Sequence, residues 1–143
     1  MLSYSCKTAV KAVIYLATKY ASGEKAGIKE IAENIVANEH TVGKLLQSLV
    51  KQHVINSIKG PAGGFFITEQ QLQQPIMQIV NAIDGKQIFK ECGLGLSKCS
   101  SLHPCPIHNE YQAARELMEK LFKTKTIVDL CEPVNAGSAY LMG

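Results

Sequence analysis

The sequence predicts a mainly α protein, a winged helix-turn-helix followed by a long C-terminal dimerisation helix. Apolar residues recur at helical spacing through the first fifty positions. Two β-prone runs flank a Gly/Pro turn directly after a pair of short helices. A late run of apolar residues then alternates spacings of four and three, the signature of a coiled-coil seam. Composition agrees. With 46% hydrophobic residues the chain can bury a core, while the absence of Trp and an aromatic content of 6% disfavour a sandwich built on large rings. The 143 residues fit one compact domain with an appended dimerisation element.

Helix one is expected from Ser5 to about Ala21, carrying Ala9, Val10, Val13, Ile14, Leu16, Ala17 and Tyr20, with Ser3 or Ser5 as its cap and Ser22-Gly23 as its stop. Ile28, Ile31, Ala32 and Ile35 mark a second helix of about two turns. Val36-Ala37-Asn38 interrupts it, and Asn38 is placed to cap the third helix. That helix buries Val42, Leu45, Leu46, Leu49 and Val50 and turns His40, Thr41, Lys44, Gln47, Ser48 and Lys51 outward. A tight turn between two short helices, the second with a clean polar face, is a helix-turn-helix pattern.

Val54 to Ile58 and Phe65 to Ile67 then read as strands of a hairpin around Lys59-Gly60-Pro61-Ala62-Gly63-Gly64, which makes a wing. After Pro75, a short helix carries Ile76, Ile79, Val80 and Ile83 and stops at Asp84-Gly85. Residues 86–104 show no period, and a loop of that length calls for a purpose. Ile107, Tyr111, Ala114, Met118 and Leu121 form the seam, widened by Leu117 and Phe122, and Ile127 to Cys131 make a last turn. A seam this short does not stand alone, so the helix is expected to pack on a symmetry mate and on helix one. The expected division is a winged head over residues 1–74, a loop and dimerisation helix over 75–132 and a tail over 133–143.

Charge is uneven. The first 74 residues hold eight lysines against five glutamates, which is the whole excess of +3, and the remainder is balanced at seven of each sign. A polyanion would dock on the first half. Duplex DNA read by His40, Thr41, Lys44, Gln47, Ser48 and Lys51 is the expected partner. Lys59 and the backbone amides of Gly63 and Gly64 would hold phosphates or probe the minor groove. No apolar run reaches the roughly 20 residues of a bilayer span, and Met1 to Lys11 is polar and lysine-bearing, so the expectation is a cytoplasmic protein with no membrane partner.

Three of the five cysteines crowd into one loop, spaced Cys92-x6-Cys99-x5-Cys105-x2-His108. In a reducing compartment this points to metal or redox chemistry rather than disulfides. Thiolates and an imidazole suit an iron–sulfur cluster or zinc. Structural zinc sites usually contain closer pairs such as C-x2-C, which this chain lacks. Cys131 sits among Ile127, Val128 and Leu130 and reads as a packed apolar residue. Nothing resembles a cofactor fingerprint or a catalytic triad or carboxylate pair, so an enzyme is not expected.

Several segments together resemble the Rrf2 family of bacterial transcription regulators. They are Thr8-Ala9-Val10-Lys11-Ala12, Ile28-Lys29-Glu30-Ile31-Ala32-Glu33, Gly60-Pro61-Ala62-Gly63-Gly64-Phe65, Ala82-Ile83-Asp84-Gly85 and the cysteine loop, over about residues 2 to 132. The resemblance implies a homodimer whose winged heads are swapped around a long C-terminal helix, with a cluster controlling operator binding. The cysteine spacing is similar to that of a subgroup holding a [2Fe–2S] centre with three Cys and one His, which makes Cys92, Cys99, Cys105 and His108 the implied ligands. The first gap is one residue longer here. Members with [4Fe–4S] centres take an acidic ligand from the partner's first helix. Lys7 stands at that position, with Cys6 beside it and His103 as a spare donor. Other members carry no cluster and answer to a regulatory protein partner. The alternative expectation is therefore a zinc-stabilised or cluster-free regulator, or a protein-interaction module, working through thiol redox or such a partner.

Overall fold

A computed structural model of the chain contains seven α-helices and a two-stranded antiparallel sheet. Helix α1 spans Tyr4–Thr18, three residues shorter at its end than its apolar pattern, and the Ser3 side chain caps it by accepting from the Cys6 N–H. Helices α2 (Ile28–Ile35) and α3 (Glu39–Lys51) form the helix-turn-helix. The turn between them is tight because Val36 takes a left-handed φ of 52°, a conformation a β-branched residue rarely adopts. Asn38 then caps α3, accepting from the Thr41 N–H at 3.0 Å. Gly43 belongs to the same joint. A Cβ there would stand 3.3 Å from Ile28 Cδ1, so the two helices are drawn close where α3 lacks a side chain.

The wing pairs β1 (Asn56–Ile58) with β2 (Gly64–Phe66), in the register Asn56 to Phe66, Ser57 to Phe65 and Ile58 to Gly64. It is shorter than the β-prone runs because Val54 and Ile55 are wholly buried in the helical core instead of extending the ladder. Ala26 adds a third edge, exchanging two backbone hydrogen bonds with Phe65 at 3.0 and 2.8 Å.

Helix α4 (Glu69–Leu72) is not expected from periodicity, being a single turn held by a Thr68/Gln71 capping box. It fastens the wing to the C-terminal half of the chain. The Gln71 amide donates to the His53 carbonyl and to Asn56 Oδ1, each at 3.1 Å, and Gln74 donates to the Val54 carbonyl at 3.1 Å. Helix α5 (Met77–Ile83), a 3-10 turn at Gln87–Phe89, α6 (His108–Thr124) and α7 (Ile127–Asn135) complete the chain.

One large apolar cluster joins α1, α2 and α3 through Val13, Leu16, Ile31, Ile35, Leu46 and Leu49, and it also takes in Ile79 of α5 and Ile127 and Cys131 of α7. A smaller one gathers Cys6, Met77, Val80 and Phe122. The expectation that α6 packs on helix one holds only in that smaller cluster, which Phe122 shares with Cys6. The more extensive packing on α1 comes from α7, while α6 meets α5 and the 3-10 turn. A bridge between Pro75 and Thr126 closes the junction, where the Ile76 N–H donates to Lys125 and the Ile127 N–H donates to Gln74, both at 2.9 Å. On the remaining side of α6, Ile107, Leu117 and Leu121 are exposed, at 38%, 71% and 46%. No helix is long and apolar enough to cross a membrane.

Candidate nucleic-acid interface and cysteine site

The polar face of α3 emerges as the sequence predicts, because Val42, Leu45, Leu46 and Leu49 turn the opposite face into the core. His40, Lys44, Gln47, Ser48 and Lys51 are exposed and Thr41 is half-buried. His40, Lys44 and Gln47 line an open groove of about 760 Å³ together with Asn38 and Glu39. Glu39 is not among the residues that the sequence pattern singles out. At the first turn of α3 it complements the helix dipole, and its carboxylate would repel phosphate and so favour a base edge that donates.

Lys59 is exposed at the wing tip, but Gly63 has a different role from the one expected. Its N–H already donates to the Gly60 carbonyl at 2.9 Å, so it is not free for a phosphate. The glycine is needed inside the turn, since a Cβ would fall 2.0 Å from the Ile58 carbonyl oxygen. Gly64, at φ 145°, lies 3.0 Å from the Ala26 carbonyl by the same measure. Gly63→Ala should therefore cost about 1–3 kcal/mol, the range for forcing backbone out of its tolerated geometry. The expected result is a lower urea midpoint with unchanged helical circular dichroism, and an unaltered midpoint would mean that the turn accommodates a side chain.

The four soft donors come together in two pairs. Cys99 Sγ lies 3.6 Å from His108 Nδ1, and Cys92 and Cys105 are near enough for each to influence the other's ionisation. Cys92, Cys105 and His108 are buried and Cys99 is half-buried. His108 opens α6, and the uncapped N–H groups of that first turn place positive potential beside the sulfurs. Backbone N–H groups of Leu94 and Leu96 hold the Cys92 thiol below its ordinary pKa, whereas burial pushes Cys105 up. No three His, Cys, Asp or Glu side chains converge on one point that a metal ion could occupy. The donor set fits a soft metal centre in kind and in burial. Bringing the pairs together needs the segment between Lys90 and Ile107 to move, and no helix or strand would be broken there.

Arg115 is the functional residue that sequence reasoning missed. Its side chain is buried, donates to the Glu91 carbonyl, and places Nη2 3.3 Å from Cys99 Sγ. Through these two contacts the guanidinium pins the loop to α6. The available signal was its spacing, seven residues after His108 and so on the same helix face. Between Lys90, Cys99, His108 and Arg115 a cleft of about 340 Å³ opens to the surface. The spare donors are elsewhere. Cys6 is fully buried beside Met77, Val80 and Phe122, and burial together with Asp84 raises its pKa to about 12. Lys7 and His103 are exposed, and Cys131 is packed in the main cluster as expected.

Known proteins point the same way. The sequence model of the Rrf2 family, described as an iron-dependent transcriptional regulator, matches residues 2–133. A protein of Aquifex aeolicus (strain VF5) described as an HTH-type transcriptional regulator is 29% identical over 105 residues, covering 72% of this chain and 73% of its own. Among solved structures, CymR, the global cysteine regulator of B. subtilis, superposes with a TM-score of 0.74 at 17% identity, covering 92% of this chain and 96% of that one. T. potens IscR gives 0.73 at 15% identity, covering 97% and 91%. The family match spans nearly the whole chain, and the fold is that of winged-helix regulators: the chain belongs to the Rrf2 family and is a DNA-binding transcriptional regulator, not an enzyme.

Proposed function

We propose that the protein is a homodimeric repressor whose grip on a partly palindromic operator is controlled by an iron–sulfur centre, a [2Fe–2S] cluster by resemblance, held by Cys92, Cys99, Cys105 and His108. The observation that carries this reading is the placement of three thiols on the loop after α5 and one imidazole at the first residue of α6, with Cys99 Sγ 3.6 Å from His108 Nδ1. When bound, the centre supplies an oxygen- and redox-sensitive crosslink between loop and helix. The remaining work falls to the chain. Two α3 helices related by a two-fold axis enter successive major grooves, while Lys59 meets phosphate from the wing. Arg115 keeps Cys99 at the N-terminus of α6. Loop and α6 together set the separation of the heads, a coupling of about 1–3 kcal/mol in typical regulators. Residues 1–74 then serve as the reading head and 75–132 as the sensing and pairing unit.

Oxygen-free reconstitution with iron and sulfide tests the reading. A brown protein with iron and sulfide in equal amounts is expected, and material that takes up neither would overturn it. One zinc per chain in a colourless product would favour a zinc-stabilised regulator instead. Cys92 and Cys105, both buried free thiols near enough to influence each other's ionisation, favour a second reading, thiol-redox control. A two-electron oxidant such as hydrogen peroxide would leave as water while the two thiols lose two protons and two electrons to form a disulfide, and peptide mass mapping after peroxide treatment would reveal that bond.

Lys44→Ala and Lys59→Ala place the DNA surface. Each should weaken binding at every sequence and lower the slope of log K against log salt by about 0.9, the value for one phosphate contact. Fluorescence anisotropy over a salt series reads the slope, and two unchanged slopes would mean that the duplex lies elsewhere.

A further inference from the structure

A second cavity lies further along the same face of α6, toward its C-terminal end; it shares Phe89 and Lys90 with the cleft beside Cys99 but uses none of the cysteine-loop donors. Helix α5, the 3-10 turn and α6 enclose about 280 Å³ there. Met77 and Phe89 make its apolar wall, and Met77 is only 8% exposed. Lys86, Lys90 and Lys123 bring three ammonium groups to its lining. Lys123 is paired with Glu119 at 2.8 Å, whereas Lys86 and Lys90 join no ion pair. Asn81 also lines the cavity, and its Oδ1 is the one buried side-chain oxygen or nitrogen in the protein without a hydrogen-bond partner.

These features specify a ligand. Unpaired ammonium groups attract a negative charge, a buried amide oxygen calls for a donor, and the apolar wall calls for a hydrocarbon body. We infer that this cavity binds a small organic anion, a carboxylate carrying a hydroxyl or amine donor on an apolar frame. Its location gives such a ligand leverage. Met77 and Asn81 belong to α5, which packs on α1 and α3 of the head, and Glu119 and Lys123 belong to α6. At about 100° per residue, Glu119 and Lys123 lie roughly opposite Ala114, Leu117 and Leu121, so a partner seated on the exposed apolar stripe leaves the cavity open.

The chain carries its own reporter. Of its four methionines, Met77 lines the cavity, while Met1 and Met142 are exposed at the chain ends and serve as references. Methyl-labelled full-length protein is titrated with 3-hydroxybenzoate, benzoate and benzyl alcohol. The expected result is a saturable shift of the Met77 methyl with 3-hydroxybenzoate, binding about tenfold weaker for benzoate because it lacks the donor, and no saturation with the uncharged alcohol. Asn81→Leu should erase the difference between the two carboxylates. Lys86→Ala combined with Lys90→Ala should weaken both about tenfold or more, and these exposed positions keep the test alive if the Asn81 variant fails to fold. The inference fails if Met77 responds to the carboxylates no more than Met1 and Met142 do. It fails equally if wild-type protein binds both carboxylates alike, or if the lysine pair can be removed without changing affinity.

Discussion

Cys99→Ala should yield a folded, dimeric protein that cannot be turned brown by iron and sulfide and whose operator affinity no longer changes with oxygen. Cys99 is the donor that touches both other parts of the site, His108 at 3.6 Å and Arg115 at 3.3 Å. Removing it leaves His108 without a sulfur partner and Cys92 and Cys105 as an isolated pair. The fold should scarcely notice. Cys99 is half-buried and lies outside both apolar clusters, so a loss within about 1 kcal/mol is expected. Visible absorbance, metal counting and a chemical denaturation curve on the same preparation separate these outcomes. A retained chromophore would remove Cys99 from the ligand set. A large loss of stability would show the residue to be structural.

Leu117→Glu combined with Leu121→Glu should convert the proposed dimer to monomer. Both side chains are exposed on α6, at 71% and 46%, so the charges disturb nothing within one protomer. Across a two-fold axis each leucine counts twice. At about 1.5 kcal/mol or more for each buried side chain, four of them amount to about 6 kcal/mol, four orders of magnitude in Kd. Sedimentation velocity at micromolar concentration would then show a single species of half the wild-type mass, with binding reduced to that of one head on a half-site. A dimer that survives both charges would place the pairing surface on another face.

Periodicity made α1, α2 and α3 legible, because each buries one stripe against the core; of the seam it marked on α6, Tyr111 and Met118 turn inward while Ala114 and Leu121 stay exposed. Asn38 announced its cap and Gly60 to Gly64 announced the wing. What periodicity missed is short or non-local. A one-turn helix such as α4 has no room for a repeat, and its stability comes from Thr68 and Gln71 capping one another. The docking of α7 on α1 depends on which of two late apolar runs reaches the core first, and Ile127 and Cys131 do so because the Pro75–Thr126 bridge turns the chain back. Within the cysteine site the donor types and their spacing were readable. Their division into two pairs and the role of Arg115 were not, since an arginine beside a sulfur is a tertiary contact without a sequence period. Gly63 teaches the converse lesson. Glycine in a wing suggests an open amide, yet the turn uses that amide for itself.

The Pro75–Thr126 fastening also has a mechanical meaning. It clamps the C-terminal tip of α6 to the head, while the sulfur-bearing loop sits at the opposite tip, 17 residues away and so about 25 Å distant at the usual rise. Under the proposed control, the helix would act as a lever fastened at one end and drawn by the loop at the other. A pull of an ångström at the loop tilts the lever by only about 2° on that arm. In a pair of such levers, tilts of that size would add between protomers, and the two grooves they must reach together would fall out of step without either head changing its shape.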